Sequence, residues 1–220
     1  MIWDWGYALE ILPTLLLAFV KYTLVATVLG TIIAAALGLV FAIIRRTGVP
    51  VLTQGTTAFI EVIRSTPLVL HLFILFVVFA QLGLTMEPLT AGVIGLGVHY
   101  ACFYAEVYRA GIDAVPAGQW EAATALNLGR QHTWLDVVLP QAVRNVLPSL
   151  GNYAVSMFKE TPFLALITVP ELVLTAQSTI GGANFRYLEP ITLAGFIFLA
   201  ASYPTALALR RLERRMQPAA

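Results

Sequence analysis

An all-α, polytopic membrane domain is the fold class this chain predicts, and three observations predict it. The first is composition: of 220 residues, 59% are hydrophobic and 11% charged, with a mean hydropathy of +0.81, where a soluble domain carries about 25% charge. The second is that its apolar runs exceed the ~20 residues that cross a bilayer core. The third is one long water-compatible stretch, Pro116 to Pro140, set between such runs. The chain therefore reads as a single transmembrane domain, residues 1–220, that holds its 116–140 segment out of the lipid. A net charge of +1 offers no basic footprint for nucleic acid.

Five spans are expected, in order. Pro13 to Ile44 is apolar except for Lys21 and longer than one span needs, so it tilts or lies partly at the interface beside Trp3 and Trp5. Within it Ala26, Gly30, Ala34, Gly38 and Ala42 recur every fourth residue, a small-residue stripe that lets another helix approach closely. Arg45 and Arg46 stop the span, and Gly48 and Pro50 mark a loop. A second span is expected over about 57–82, with Pro67 inside its first turns and Glu61 and Arg64 spaced to pair on one face. The third runs from Glu87-Pro88 to about Arg109, where Glu106 and Arg109 repeat that spacing. The fourth lies within Val143 to Pro170 and carries Lys159-Glu160-Thr161-Pro162. A polar stretch with Gly181, Gly182, Asn184 and Arg186 precedes the fifth, Pro190 to Leu209, which ends among four arginines.

Those basic residues set the orientation. With the amino terminus outside and the carboxyl terminus inside, Arg45, Arg46, Arg64, Arg109, Arg130, Arg144 and the four terminal arginines fall on the cytoplasmic side, against Arg186 alone in an outside loop. A multi-pass protein of the cytoplasmic membrane is the expectation. The first twelve residues hold Asp4 and Glu10 but no Lys or Arg, the wrong start for a signal peptide, so insertion is expected to come from the spans themselves.

The 116–140 segment reads as a short helix, a bend and a second short helix, a compact knob. Ala, Leu, Glu and Gln favour helix, Asn127 and Gly129 tolerate the left-handed conformation that ends one, and Pro140 interrupts the helix at the knob's far end. The knob should be cytoplasmic by the same distribution of arginines.

No Gly-x-x-x-x-Gly-Lys-Ser/Thr loop is present to cradle phosphates, so nucleotide hydrolysis is not expected of this chain. No Cys and His cluster has metal spacing and no Gly-x-Ser-x-Gly marks a nucleophile; the reading is not an enzyme, with no catalytic residue, metal or cofactor. The single cysteine, Cys102, has no internal partner, and packing is its expected role. Ionisable groups inside spans need a reason. Lys159 and Glu160 lie deep in the fourth span, and Pro162 cannot donate to the carbonyl of Phe158, so these residues could line a substrate pathway or form an ion pair that fixes subunit packing. His71 and His99 are either hydrogen-bonded for packing or part of that pathway.

The knob resembles the EAA loop of permease subunits of ATP-binding cassette importers: Glu121, Ala122, Ala123, Leu139 and Pro140 match, Val137 stands for the family's Ile, and Asn127 for its Gly. Ile63-Arg64-Ser65-Thr66-Pro67, Ala105-Glu106-Val107-Tyr108-Arg109-Ala110-Gly111-Ile112, Lys159-Glu160-Thr161-Pro162 and Val169-Pro170-Glu171-Leu172 resemble motifs of the polar amino acid permeases. Trp3-Asp4-Trp5, Ala123 to Asn127 and Phe185 to Pro190 look most like the branch associated with ectoine and hydroxyectoine uptake. The resemblance implies a type I importer transmembrane domain. It also implies an ATPase docking on Glu121, Ala122, Ala123, Asn127, Gly129, Leu139 and Pro140. A second permease subunit, identical or homologous, and an extracytoplasmic solute-binding protein would complete the assembly. Two rivals stand beside it: an ion-coupled secondary carrier using Lys159, Glu160 and the histidines as a proton relay, and a non-transporting assembly subunit held through the small-residue stripe.

Overall fold

The structure, a computed structural model, describes residues 3–183 and 185–216; Asn184, expected in the outer polar loop, lies outside them. Asp4 opens the first helix, its carboxylate accepting the Tyr7 N–H at 3.1 Å, the bond an N-cap makes. From there α1 (Trp5–Arg46) runs to the second arginine, about 63 Å at ~1.5 Å per residue. That is about twice the ~30 Å hydrocarbon core. A π-helical stretch, Phe19–Leu24, lies within it around Lys21.

The small-residue stripe of α1 is buried against α4 (Pro88–Asp113). A Cβ on Gly38 would lie 2.6 Å from Tyr104 Cβ and 2.8 Å from the Ala101 carbonyl oxygen, so the two backbones are as close as hydrogen alone allows. Gly97 answers from α4, where a Cβ would lie 2.6 Å from Ile33 Cγ2. On the same stripe Gly30 faces the sulfur of Met157. The stripe is therefore used within the chain. That removes it as the contact a non-transporting assembly subunit would offer its partners.

The expected second span is two helices. α2 (Pro50–Arg64) and α3 (Leu68–Gln81) meet at 106°. Pro67 lacks an N–H and disfavours helical geometry at the residue before it, so the turn falls at Ser65-Thr66-Pro67, where Pro67 takes ψ 140° and caps α3. After α4 come α5 (Ala117–Ala125), α6 (Arg130–Ile167) and α7 (Leu172–Gly182), the last two meeting at 56°, and then α8 (Leu188–Met216). The fourth span is thus the far part of a longer helix that begins in the knob. At the α6–α7 bend Thr168 is left-handed and the buried Glu171 caps α7, accepting the N–H groups of Val173 at 2.9 Å and Leu174 at 2.7 Å. The Leu172 N–H goes to Thr23 Oγ1 at 3.3 Å, inside the π-helical stretch of α1. By length and composition three helices can cross a membrane among the described residues, or up to five if each bent pair is one span.

The two larger apolar cores follow from this path. One joins the carboxyl-terminal half of α1 to α3, α4 and α6 through Ala34, Leu72, Leu96, Tyr104, Met157 and Leu164. The other joins the amino-terminal half of α1 to α6, α7 and α8 through Leu15, Phe19, Phe158, Leu172, Ala176 and Ala194. α1 runs past both.

Candidate functional site

The knob is held by its own small core. Val115, Val138 and Ala142 are buried under Ile112, Trp120 and Trp134, with the two indoles edge to face at 5.4 Å. Asn127 sits at φ 52°, and around it the Leu128 N–H donates to the Ala123 carbonyl at 3.0 Å and the Asn127 N–H to Thr124 at 2.9 Å. This pair of bonds is the Schellman closure of a helix. Asn supplies the left-handed residue that glycine supplies elsewhere.

Three expectations for the knob change. Gly129 is extended, at φ −60° and ψ 154°, and precedes α6 without the left-handed turn expected of it. Ala123 is buried, so of the two alanines only Ala122 is on the outer surface beside Glu121. Pro140 does not interrupt the chain: α6 passes through it, after a π-helical stretch at Thr133–Val138. The Gln141 side chain donates to the Val137 carbonyl at 2.8 Å, satisfying a group near the proline. The outermost apolar residue of the bend is Leu126, 73% exposed, which periodicity gave no reason to single out.

An ionic network links α1, α4 and the knob. Glu106 is bonded by Arg45 of α1 as well as by Arg109, whose guanidinium reaches it at 2.8 Å and Asp113 at 3.0 Å. Arg46 bonds Asp113 at 3.0 Å and lies over the Trp134 ring at 5.6 Å. Spacing pointed to Glu106 and Arg109; Arg45 is 61 residues from its partner and had no local signal.

Further along the helices a polar line crosses the apolar core. Thr66 Oγ1 lies 2.6 Å from His71 Nε2, and His71 Nδ1 lies 3.1 Å from His99 Nδ1. The next residue, Tyr100, donates its hydroxyl to Glu160 Oε2 at 2.8 Å. Phe103 packs on His99 at 5.2 Å and on Tyr153 at 5.4 Å, and Arg64 lies over Phe103 at 5.4 Å. The structure thus gives two hydrogen-bonded groups, Thr66–His71–His99 and Tyr100–Glu160, which meet where the rings of His99 and Tyr100 lie edge to face at 5.5 Å, with Tyr153 beside Tyr100 at 6.3 Å.

Lys159 and Phe158 join neither. The helix is intact through Glu160, where adjacent side chains diverge by about 100°, and Lys159 is exposed on another face with no ion pair among the described residues. The Phe158 ring is buried between Phe19 at 6.1 Å and Phe198 at 5.1 Å. Its carbonyl is not free either, because Thr161 Oγ1 donates to it at 2.8 Å. Pro162 stands near the start of a 3-10 stretch, Thr161–Ile167, a place where its missing N–H is tolerated.

Residues 34–218 match the family described as the inner membrane component of binding-protein-dependent transport systems. The probable amino-acid ABC transporter permease protein y4tG of Sinorhizobium fredii is 39% identical over 216 residues, 96% of this chain and 93% of that one. The glutamine transport system permease protein GlnP of Escherichia coli is 36% identical over 219 residues, 99% of each. A solved amino acid ABC transporter with histidines has a chain that superposes with a TM-score of 0.91 at 31% identity, covering 98% of this chain and 100% of that one. The MetNI methionine ABC transporter in an inward-facing form gives 0.72 at 19% identity over 93% and 97%, a likeness of fold. With its all-helical spans, its knob and these relatives, the chain belongs to the inner membrane components of binding-protein-dependent transport systems, the permease subunits of ABC transporters.

Proposed function

We propose that this chain is the permease subunit of an ATP-driven importer of polar amino acids, set in the cytoplasmic membrane with its amino terminus outside and its knob inside. Glu160 carries the substrate part of that reading. It is a half-buried carboxylate in a membrane helix, held by the Tyr100 hydroxyl, and the Tyr100 ring in turn lies edge to face with Tyr153 at 6.3 Å. Intramembrane carboxylates are costly and mark substrate or ion paths; this one suits the ammonium of an amino acid. The substrates named for the relatives, glutamine among them, support the same class. Ectoine or hydroxyectoine is a second reading, favoured by the paired rings of Tyr100, which bonds Glu160, and Tyr153. A delocalised cation gains about 0.5 to 2 kcal/mol on an aromatic face.

An ATPase would take the knob through Glu121, Ala122 and the protruding Leu126, and the ionic network would pass its movement to α1 and α4. A second permease subunit is motivated by the exposed polar face of α6, where Asn152, Ser156 and Lys159 share one side and lipid would leave them unpaired. An extracytoplasmic binding protein would deliver substrate.

The test is uptake by proteoliposomes holding the complete transporter, with labelled glutamine and labelled ectoine across a concentration series. Glu160→Gln keeps the shape and removes the charge. Loss of one charge-assisted hydrogen bond costs roughly 1.5 to 3 kcal/mol, so half-saturation should rise about tenfold to over a hundredfold while basal ATPase activity stays intact. Unchanged half-saturation for both solutes would exclude Glu160 from the pathway.

A further inference from the structure

Where α1 ends, a groove of about 710 Å³ separates it from the start of α6. Its floor is apolar: Leu39 and Ile43 of α1, 46% and 56% exposed, and Leu139 of α6. Its rim is Arg46, Arg130 and the Trp134 ring, and no acidic residue lines it among the described residues. We propose that this groove seats an anionic phospholipid of the leaflet nearest the knob, its headgroup phosphate on Arg46 and Arg130 and an acyl chain along Leu39 and Ile43.

Charge and continuity argue for that occupant. Arg130 is exposed and makes no ion pair among the described residues. Arg46 commits one nitrogen to Asp113 at 3.0 Å, and Asp113 is already shared with Arg109 at 3.0 Å, so the groove keeps a surplus of positive charge. A guanidinium fork matches two phosphate oxygens. The floor continues along the same face of α1 into the exposed Ala36 and Ile32, an apolar strip of the kind that faces acyl chains. Trp134 supplies the amphipathic ring that favours the headgroup level. A free phosphate would use the rim but gain nothing from the floor. The double-ended groove therefore selects a lipid.

The experiment uses the full chain in phosphatidylcholine vesicles, with Trp3, Trp5 and Trp120 each changed to Phe so that Trp134 alone fluoresces. Equal mole fractions of brominated phosphatidylglycerol and brominated phosphatidylcholine are compared as quenchers. Phosphatidylglycerol should quench more, with a local enrichment of about fivefold for each arginine, the factor that ~1 kcal/mol per basic residue gives. Arg130→Gln should lower that preference about fivefold, Arg130→Lys should keep most of it, and excess inorganic phosphate should leave it unchanged. Equal quenching by the two lipids, or a preference untouched by Arg130→Gln, overturns the proposal; relief by phosphate overturns it in favour of a soluble anion. A second measurement needs no tryptophan replacement. Phosphatidylglycerol retained by the wild-type chain through detergent washing should fall in Arg130→Gln, whose thermal unfolding checks that the fold is kept, and equal retention counts against the site.

Discussion

Changing Gly38 to alanine adds one methyl group at the tightest point between α1 and α4. It would stand 2.6 Å from Tyr104 Cβ, 2.8 Å from the Ala101 carbonyl oxygen and 3.1 Å from the Ala105 nitrogen. Two of those atoms are backbone, so no rotamer change relieves the contact. Reaching an ordinary separation of about 3.5 to 4.0 Å requires the helices to part by about 1 Å. Overpacking of this kind costs about 1 to 3 kcal/mol, against the roughly 0.5 to 1 kcal/mol that Gly→Ala returns in a helix interior. At roughly 2 to 4 °C per kcal/mol for a chain of this size, the melting temperature of the purified chain in detergent should fall by several degrees. Gly195→Ala is the control, because nothing lies within 4 Å of its added Cβ, and it should melt at or above the wild-type temperature. If Gly38→Ala melts with the control, the helices are not in contact at this point and the packing argument fails.

Two further outcomes concern the knob and the amino-terminal end of the chain. Asn127→Val puts a β-branched residue at φ 52° and should cost about 1 to 3 kcal/mol, seen as faster proteolysis within the knob, whereas Asn127→Gly should cut no faster than wild type. At the other end, the Tyr7 N–H and the Arg186 guanidinium hold the Asp4 carboxyl below its usual range. A carboxyl depressed on folding stabilises above its unfolded value of 3.8 and loses that contribution as pH falls through the folded value. Acid melting of the wild type should therefore show a component that Asp4→Asn lacks, and identical profiles below pH 4 would remove the Arg186 pair from the account.

Features set by near neighbours along the chain were legible. The stripe from Ala26 to Ala42 is a period-four pattern, and its burial in α1 needs only one facing helix. Asn127 could be read as a helix stop because the left-handed residue and its two backbone bonds lie within six positions. Glu61 with Arg64, 3.7 Å apart, and Glu106 with Arg109 are pairs of one helical turn. The partners that complete the polar line are different. Tyr100 and Glu160 are 60 residues apart, and His71 and His99 are 28; only the packing of α3, α4 and α6 brings them together. Adjacency also misled. Lys159 and Glu160 are neighbours in sequence, yet a helix that stays intact sends them to different faces.

The prolines show why the rest could not be read residue by residue. Pro67 and Pro140 carry the same defect, a missing N–H and a ring that crowds the preceding turn. At Pro67 the chain turns 106°, while Pro140 sits inside a helix that continues to Ile167. The difference lies in what surrounds each. Before Pro140 the backbone has shifted to π-helical spacing over Thr133–Val138, Gln141 reaches back to the Val137 carbonyl, and Val138 is fully buried in the knob core, so continuing the helix keeps those contacts. Before Pro67 the exposed Ser65 is held by no such core, and Thr66 turns its hydroxyl to the Val62 carbonyl at 2.8 Å and faces His71 at 2.6 Å. The turn thereby places a threonine at the start of the polar line, and a straight helix through Pro67 would carry His71 away from His99.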